Sequence, residues 1–222
     1  MPGNKIYRKI SIALFICAIL ALIVLAILVH YHNVFRLDLF LSRDLQSEGD
    51  TEQKRSLIFH FLVFVSYFGK PVISAILVVG SALVFWLLKY YQETVFCLLT
   101  PLAALINAIV KIIVDRPRPS EQLVQILDRQ LDPSFPSGHV VFYTVFFGFI
   151  FVTMFMAKKI SFWLRIMVAT ICLGMIVAIS ISRVYLGAHW FSDILGGYLL
   201  GFALLLILLN FYLVPYIKQK TG

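Results

Sequence analysis

Along nearly the whole chain, uncharged apolar runs alternate with short polar connections. Ile10–Val29, Pro71–Leu88, Thr94–Val110, Val140–Ala157, Ile166–Ile181 and Ile194–Ile217 contain no Asp, Glu, Lys or Arg. A helix needs about 20 apolar residues to cross about 30 Å of hydrocarbon, so the pattern predicts six membrane spans. A seventh run, Ser56–Gly69, is bounded by Arg55 and Lys70-Pro71 and is too short to cross. It predicts an interfacial or partly inserted helix leading into the second span. Between the first run and this one, Val34, Phe35, Leu37, Phe40 and Leu41 alternate with Arg36, Asp38 and Arg43 ahead of the polar stretch Gln46–Lys54. That pattern predicts an amphipathic helix lying on the membrane, followed by a turn. The segment Asp115–Pro136 holds Pro117, Pro119, Pro133 and Pro136 and cannot be one helix. A structureless connection of that length in an otherwise tight chain is usually functional.

Composition agrees with the spans. The 222 residues are 61% hydrophobic and 14% charged, against about 45–50% and about 25% in soluble domains. The expectation is an all-α integral membrane protein, a six-transmembrane helix bundle forming one domain over residues 1–222. Soluble, disordered, collagen-like and disulfide-scaffold classes are excluded. Ile10–Val29 follows Lys5, Arg8 and Lys9 but ends in Leu28-Val29-His30-Tyr31 without a small-x-small cleavage site. It also exceeds the usual signal core of about 7–15 residues, and is read as a retained anchor. Cys17, Cys97 and Cys172 fall inside spans and are read as packing residues. His30, His32 and His60 are read as interfacial. Gly196, Gly197 and Gly201 in the last span favour close helix approach.

The net charge of +8 becomes informative once divided by membrane side. Six spans return both termini to one side, together with Lys5, Arg8, Lys9, Lys89, Lys158, Lys159, Arg165, Lys218 and Lys220 against Glu93 alone. The other side carries the remaining ten bases and ten acids. The positive-inside rule then predicts a cell (inner or plasma) membrane protein with cytoplasmic termini and the Asp115–Pro136 side facing outward. The basic excess is a topology signal and implies no nucleic acid partner.

The same count of spans brings four groups to the outer surface: Lys111 and Arg118, Ser137-Gly138-His139, Ser182-Arg183, and His189 with Asp193. Three fixed cations at a membrane boundary call for an anion. Arg118 and Arg183 offer planar, bidentate recognition of phosphate oxygens, and Lys111 offers a point charge. Ser137 and Gly138 precede a helix, whose first N–H groups form an anion seat. His189 and Asp193 are four apart, so on a helix they would share a face, with the carboxylate fixing the imidazole tautomer. His139 supplies a second imidazole, and the set has the parts of phosphoryl transfer: nucleophile, general acid and clustered positive charge.

Each part alone has a plainer reading. Lys111 serves equally as an interfacial anchor or as the partner of Asp115 four residues on, His189/Asp193 as a structural pair, and Ser137 as a helix cap. Convergence on one face favours the chemical reading.

Lys111, six residues, Arg118-Pro119; Pro136-Ser137-Gly138-His139; and Ser182-Arg183, five residues, His189, three residues, Asp193 resemble, in order and spacing, the three-part signature of the type 2 phosphatidic acid phosphatase family. The resemblance implies that His189 is the nucleophile forming a phosphohistidine, that Asp193 orients it, and that His139 protonates the leaving oxygen. It implies that Lys111, Arg118, Ser137, Gly138 and Arg183 bind the phosphoryl oxygens, with Ser182 supporting the site from its edge, and that neither a metal nor a cofactor is required. Asp115, Arg116 and Asp132 lie nearby in sequence and are not assigned to the site. The implied substrates are lipid phosphates: phosphatidylglycerol phosphate, phosphatidic acid, undecaprenyl diphosphate or a lipid A phosphate. A lipid phosphotransferase with the same site is the alternative, and a membrane transporter is the alternative from another class. Oligomeric state is not readable from the sequence.

Overall fold

The computed structural model describes residues 2–47 and 52–219. Among these residues every regular element is a helix: α1 (Pro2–Tyr31), α2 (Arg36–Ser47), α3 (Glu52–Tyr67), α4 (Pro71–Leu87), α5 (Tyr91–Leu99), α6 (Leu102–Val114), α7 (Gly138–Met156), α8 (Phe162–Tyr185) and α9 (Phe191–Gln219). Apolar sequence in a bilayer leaves no other open-chain solution, because each backbone N–H and C=O must be satisfied within its own segment.

Five stretches are individually long and apolar enough to span, and the bent pair Leu57–Tyr67 with Pro71–Leu87 makes a sixth if taken as one span. The pair turns by 67° at Phe68-Gly69-Lys70, where Pro71, at the start of α4, has no N–H with which to continue the preceding helix. The predicted second span therefore consists of a shorter helix, α4, plus its angled lead-in α3. The third span is longer than the uncharged run, extending over Tyr91–Val114, and it is interrupted at Thr100-Pro101 into α5 and α6. Lys111 thus lies within the last helical turn rather than beyond it.

α7 is buried over most of its length and forms the centre, with α8 and α9 against it and α1 along α9. α1 and α8 turn most of their residues outward, as lipid-facing helices do. Cys97 and Cys172 are buried, but Cys17 is exposed on the outside of α1 and does not pack as the sequence suggested. Ser11 near the start of α1 meets Asn210 late in α9, Nδ2 to Oγ 2.6 Å. At the other end of α1, His30 Nδ1 lies 3.2 Å from the carbonyl of Val114. The termini therefore share one end of the bundle, and the end of α6, with the Lys111 segment, lies at the other.

α9 comes close to α7 because glycine allows it. A Cβ on Gly201 would lie 2.7 Å from Thr144 Cβ, and one on Gly197 would lie 2.9 Å from Val140 Cβ. Gly201→Val should therefore cost about 1–3 kcal/mol through overpacking. It is expected to lower the thermal midpoint of the detergent-solubilised protein by several degrees, read by circular dichroism. Gly174→Ala, with nothing within 4 Å of the added carbon, should leave the midpoint unchanged or slightly raised.

α2 departs from expectation. It is amphipathic, with Leu37 and Phe40 exposed, but Asp38 and Ser42 are buried, so it is docked on the bundle rather than merely resting on lipid. Asp38 Oδ1 accepts from the Ser192 N–H at 2.9 Å, and Gln46 Nε2 donates to the Tyr185 carbonyl at 3.0 Å. Residues 48–51 of the predicted polar turn lie outside the described residues.

Candidate active site

α6 ends where Asp115 takes a left-handed conformation, φ 46° and ψ 45°, a backbone state that Asp tolerates better than most residues. The plainer reading of Lys111 as the partner of Asp115 does not hold, since the pair does not form. Lys111 Nζ instead meets Asp132 Oδ2 at 2.8 Å and donates to the Pro133 carbonyl. Beyond the turn, Arg118 folds back over the same loop. Its Nη2 lies 2.8 Å from Asp132 Oδ1, its Nε donates to the Asp132 carbonyl at 2.6 Å, and its Nη1 donates to the Ala188 carbonyl at 2.6 Å. Asp132, unassigned by the sequence reading, is therefore the resting counter-ion of two cradle cations. Partial burial alone would raise its pKa, but the hydrogen bond and charge of Lys111, followed by those of Arg118, bring it down to about 2.

Ser137 is the residue before α7, with an extended backbone and no side-chain capping bond, so the plainer helix-cap reading does not hold. Its hydroxyl is buried with no partner among the described residues. At the last turn of α8, Arg183 is fully buried, and its Nη1 donates to Ser66 Oγ at 2.5 Å and Asp128 Oδ2 at 2.7 Å. Its Nε and Nη2 are unpartnered among the described residues. Buried donors are rarely left without a partner, be it protein, water or ligand. Ser182 beside it donates to the Leu62 carbonyl at 2.7 Å and so pins α8 to α3 at the rim.

The chain then turns at Gly187, φ 65°, where a Cβ would lie 2.0 Å from the Gln125 carbonyl oxygen. This places His189 ahead of α9, while Asp193 sits in the first turn of α9. The two do not share a helix face as expected. They meet because Asp193 reaches back over the helix start, its Oδ2 accepting the Trp190 N–H at 2.8 Å, in the manner of a capping residue. The same oxygen accepts from Ser134 Oγ at 2.5 Å and faces His189 Nδ1 at 3.5 Å, a contact longer than a hydrogen bond. On the other edge of the imidazole, Nε2 lies 3.3 Å from Arg118 Nη1. A guanidinium has only donors, so this contact fits the tautomer with its proton on Nδ1 and a lone pair on Nε2. Burial, then the positive charges of Arg118, Arg183 and Lys111, hold the His189 pKa well below its ordinary value. At neutral pH the ring is therefore uncharged, as a nucleophile must be.

His139, in the first turn of α7, lies over the α3–α4 break, where a Cβ on Gly69 would be 2.0 Å from its Cδ2. Both histidines, with Lys111, Gly138 and Asp132, line one cavity of about 630 Å³ that continues along Ser74, Val78, Ala104 and Ala108 of α4 and α6. Its upper part is polar and cationic, and its lower part is apolar. Arg118 meets this lining through Asp132 and His189, Ser137 precedes Gly138 in the chain, Asp193 faces His189, and the charge of Arg183 acts on His189.

Sequence reasoning noted Arg116 near the site but gave it no role; it is buried and holds Asp193 from behind. Its Nη1 lies 2.5 Å from Asp193 Oδ1 and 2.7 Å from Ser192 Oγ, and its Nη2 lies 2.8 Å from Asp38 Oδ2. The guanidinium also lies over the Phe35 ring at 5.8 Å. Asp38 of α2 is thereby tied to the carboxylate that faces His189. An arginine between an aspartate and a proline carries no local signal of this role, and partners 78 and 77 residues away are not visible as spacing. His30, His32 and His60 stay exposed, outside this constellation.

Comparison with known proteins agrees with the geometry. Phosphatidylglycerophosphatase B of Bacillus subtilis (strain 168) is 31% identical over 147 residues, spanning 65% of this chain and 66% of that protein. The putative undecaprenyl-diphosphatase YbjG of Escherichia coli (strain K12) is 38% identical over 87 residues, 39% of each chain. Among solved structures, a transmembrane PAP2-type phosphatidylglycerolphosphate phosphatase from Bacillus subtilis shares the fold. Its TM-score is 0.72 at 24% identity, covering 89% of this chain and 94% of that one. The sequence model of the PAP2 superfamily matches residues 92–215, a stretch that begins ahead of Lys111 and runs past Asp193. Since that stretch is more than half of the chain and contains every residue of the cradle and both histidines, this multi-pass protein belongs to the PAP2 superfamily.

Proposed function

We propose that the protein is a membrane lipid phosphatase, hydrolysing a phosphomonoester or diphosphate of a lipid through a phosphohistidine on His189. The observation that carries this is His189, whose Nε2 lies 3.3 Å from Arg118 Nη1, in a site where Arg183 Nε and Nη2 and Ser137 Oγ have no partner among the described residues. In this reading those groups receive the oxygens of a phosphoryl group. The lipid enters with its tail along the apolar part of the cavity, and its phosphate displaces Asp132 from Lys111 and Arg118. His189 Nε2 then attacks phosphorus, the bond from phosphorus to the lipid oxygen breaks, and His139 donates a proton to that oxygen. The cations and the N–H groups at the start of α7 stabilise charge on the equatorial oxygens. Water, losing its proton to His139, next attacks phosphorus. The P–N bond breaks, orthophosphate leaves and His189 is regenerated. Substrates of this kind include phosphatidylglycerol phosphate and undecaprenyl diphosphate, whose names the two relatives carry.

The acid limb of the pH profile tests the role of the low-pKa imidazole. A pKa held below 6.5 keeps His189 unprotonated as pH falls through 6.5, so kcat/KM should hold and then decline at lower pH. Arg118→Gln removes one of the positive charges responsible, so its acid limb should move to higher pH than that of the wild type on the same substrate. An acid limb unmoved or shifted downward would count against the charge argument.

The site belongs to the outer side of the cell membrane, and the termini are cytoplasmic. The uneven distribution of Lys and Arg supports this orientation. A single cysteine placed at exposed Glu121, in a background lacking the native three, should react in intact cells with an impermeant maleimide. Labelling only after the cells are broken would reverse the orientation.

A further inference from the structure

Asn107 stands one turn before Lys111 on α6, within an otherwise apolar span. It is 5% exposed, and its Oδ1 has no hydrogen-bond partner among the described residues. The residue lines the same cavity as Lys111, His139 and His189. Its Nδ2 lies 3.1 Å from where a Cβ on Gly138 would be, and the oxygen is the amide atom left buried without a partner among the described residues. An amide oxygen buried inside a membrane span without a donor is costly, so a ligand that brings a donor is favoured there.

Depth identifies the donor. Four helical residues rise about 6 Å, so the backbone of Asn107 lies about that far along α6 from that of Lys111, although both side chains approach Gly138, Asn107 Nδ2 to 3.1 Å and Lys111 Cε to 4.0 Å of the place its Cβ would take. Asn107 sits where the polar cradle gives way to Ala104 and Ala108. On the phosphatase reading above, this level is reached by the part of the lipid leaving group next to the scissile oxygen. In a glycerol-type headgroup that part carries a hydroxyl. In a prenyl diphosphate it is a second phosphate, whose oxygens are acceptors and would face another acceptor.

We infer that Asn107 is a specificity-determining residue whose Oδ1 accepts a hydrogen bond from a hydroxyl of the leaving group. It thereby favours phosphomonoesters of hydroxyl-bearing headgroups, such as phosphatidylglycerol phosphate, over prenyl diphosphates.

The test measures kcat/KM of the purified full-length protein on three probes: phosphatidylglycerol phosphate, its analogue with a propanediol headgroup lacking the secondary hydroxyl, and farnesyl diphosphate. Wild type should prefer the hydroxylated lipid to the deoxy analogue by about tenfold. Asn107→Leu should erase that preference by losing activity on the hydroxylated lipid alone, with the other two substrates within about twofold of wild type. Asn107→Asp, which keeps an acceptor, should retain the preference and lose further activity on farnesyl diphosphate. Wild type indifferent to the hydroxyl, or an equal fall on all three probes in Asn107→Leu, would overturn the assignment while leaving the phosphatase reading intact. Wild type releasing no phosphate from any of the three would remove that reading and the assignment with it.

Discussion

His189→Ala is expected to lower phosphate release from lipid substrates by at least about 10⁴-fold, with the protein still folded. Removing a nucleophile takes away the covalent route rather than one stabilising contact, and the residual rate is what positioning and the cationic cradle give alone. Its two ring nitrogens face Arg118 and Asp193, and both of those keep other partners when it is gone. The thermal midpoint of the variant should therefore lie within a few degrees of wild type, and phosphate release against melting separates chemistry from folding. A variant that melts normally and retains a tenth or more of the wild-type rate would mean that another group attacks phosphorus.

Arg116→Ala should lose both stability and rate. Its guanidinium is enclosed between Asp38 and Asp193, and removing one partner from a buried ionic cluster typically costs about 3–5 kcal/mol because the remaining carboxylates are left uncompensated. For a chain of this size that corresponds to a fall of about 10 °C in the thermal midpoint. Arg116 touches neither histidine, so its effect on rate passes through Asp193. A fall in kcat of about 10²-fold is expected from the loosened imidazole, with KM within about threefold because the cradle cations are untouched. Asp38→Asn, which removes the charge of the other buried carboxylate while leaving Arg116 paired with Asp193, should be milder in kcat. A variant of Arg116 that changed KM and left kcat unaltered would contradict this positioning role.

What was legible in the sequence follows from what is local in it. Spans are continuous runs, and the motif residues lie at their ends, so Lys111, Ser137, His139, Arg183 and His189 could be brought together by counting crossings. The break at Lys70-Pro71 was legible for the same reason, since proline acts on its own neighbourhood. The partners that complete the site were not. Asp132 for Lys111, Asp128 for Arg183, and Asp38 with Arg116 behind Asp193 are joined across 21 to 78 residues by the fold. No helical or strand period relates such positions. The reading of α2 failed on one residue. Asp38 on an amphipathic helix looks like part of a solvated face, yet in the folded protein that position is buried and holds the start of α9. His189 and Asp193 do face each other, at 3.5 Å, but through a carboxylate that reaches back over a helix start rather than through helix periodicity, and without the hydrogen bond that periodicity suggested.

The central claim is a covalent phosphoryl group on His189, and trapping it is the direct test. Purified wild type would be mixed with a lipid carrying a labelled terminal phosphate and quenched in alkali within one turnover. The labelled peptide would then be identified by mass spectrometry. The account predicts label on the peptide containing His189, stable in alkali, lost in mild acid and absent from His189→Ala. Label on a different residue, or release of orthophosphate within that turnover with no protein-bound label at any quench time, would contradict it.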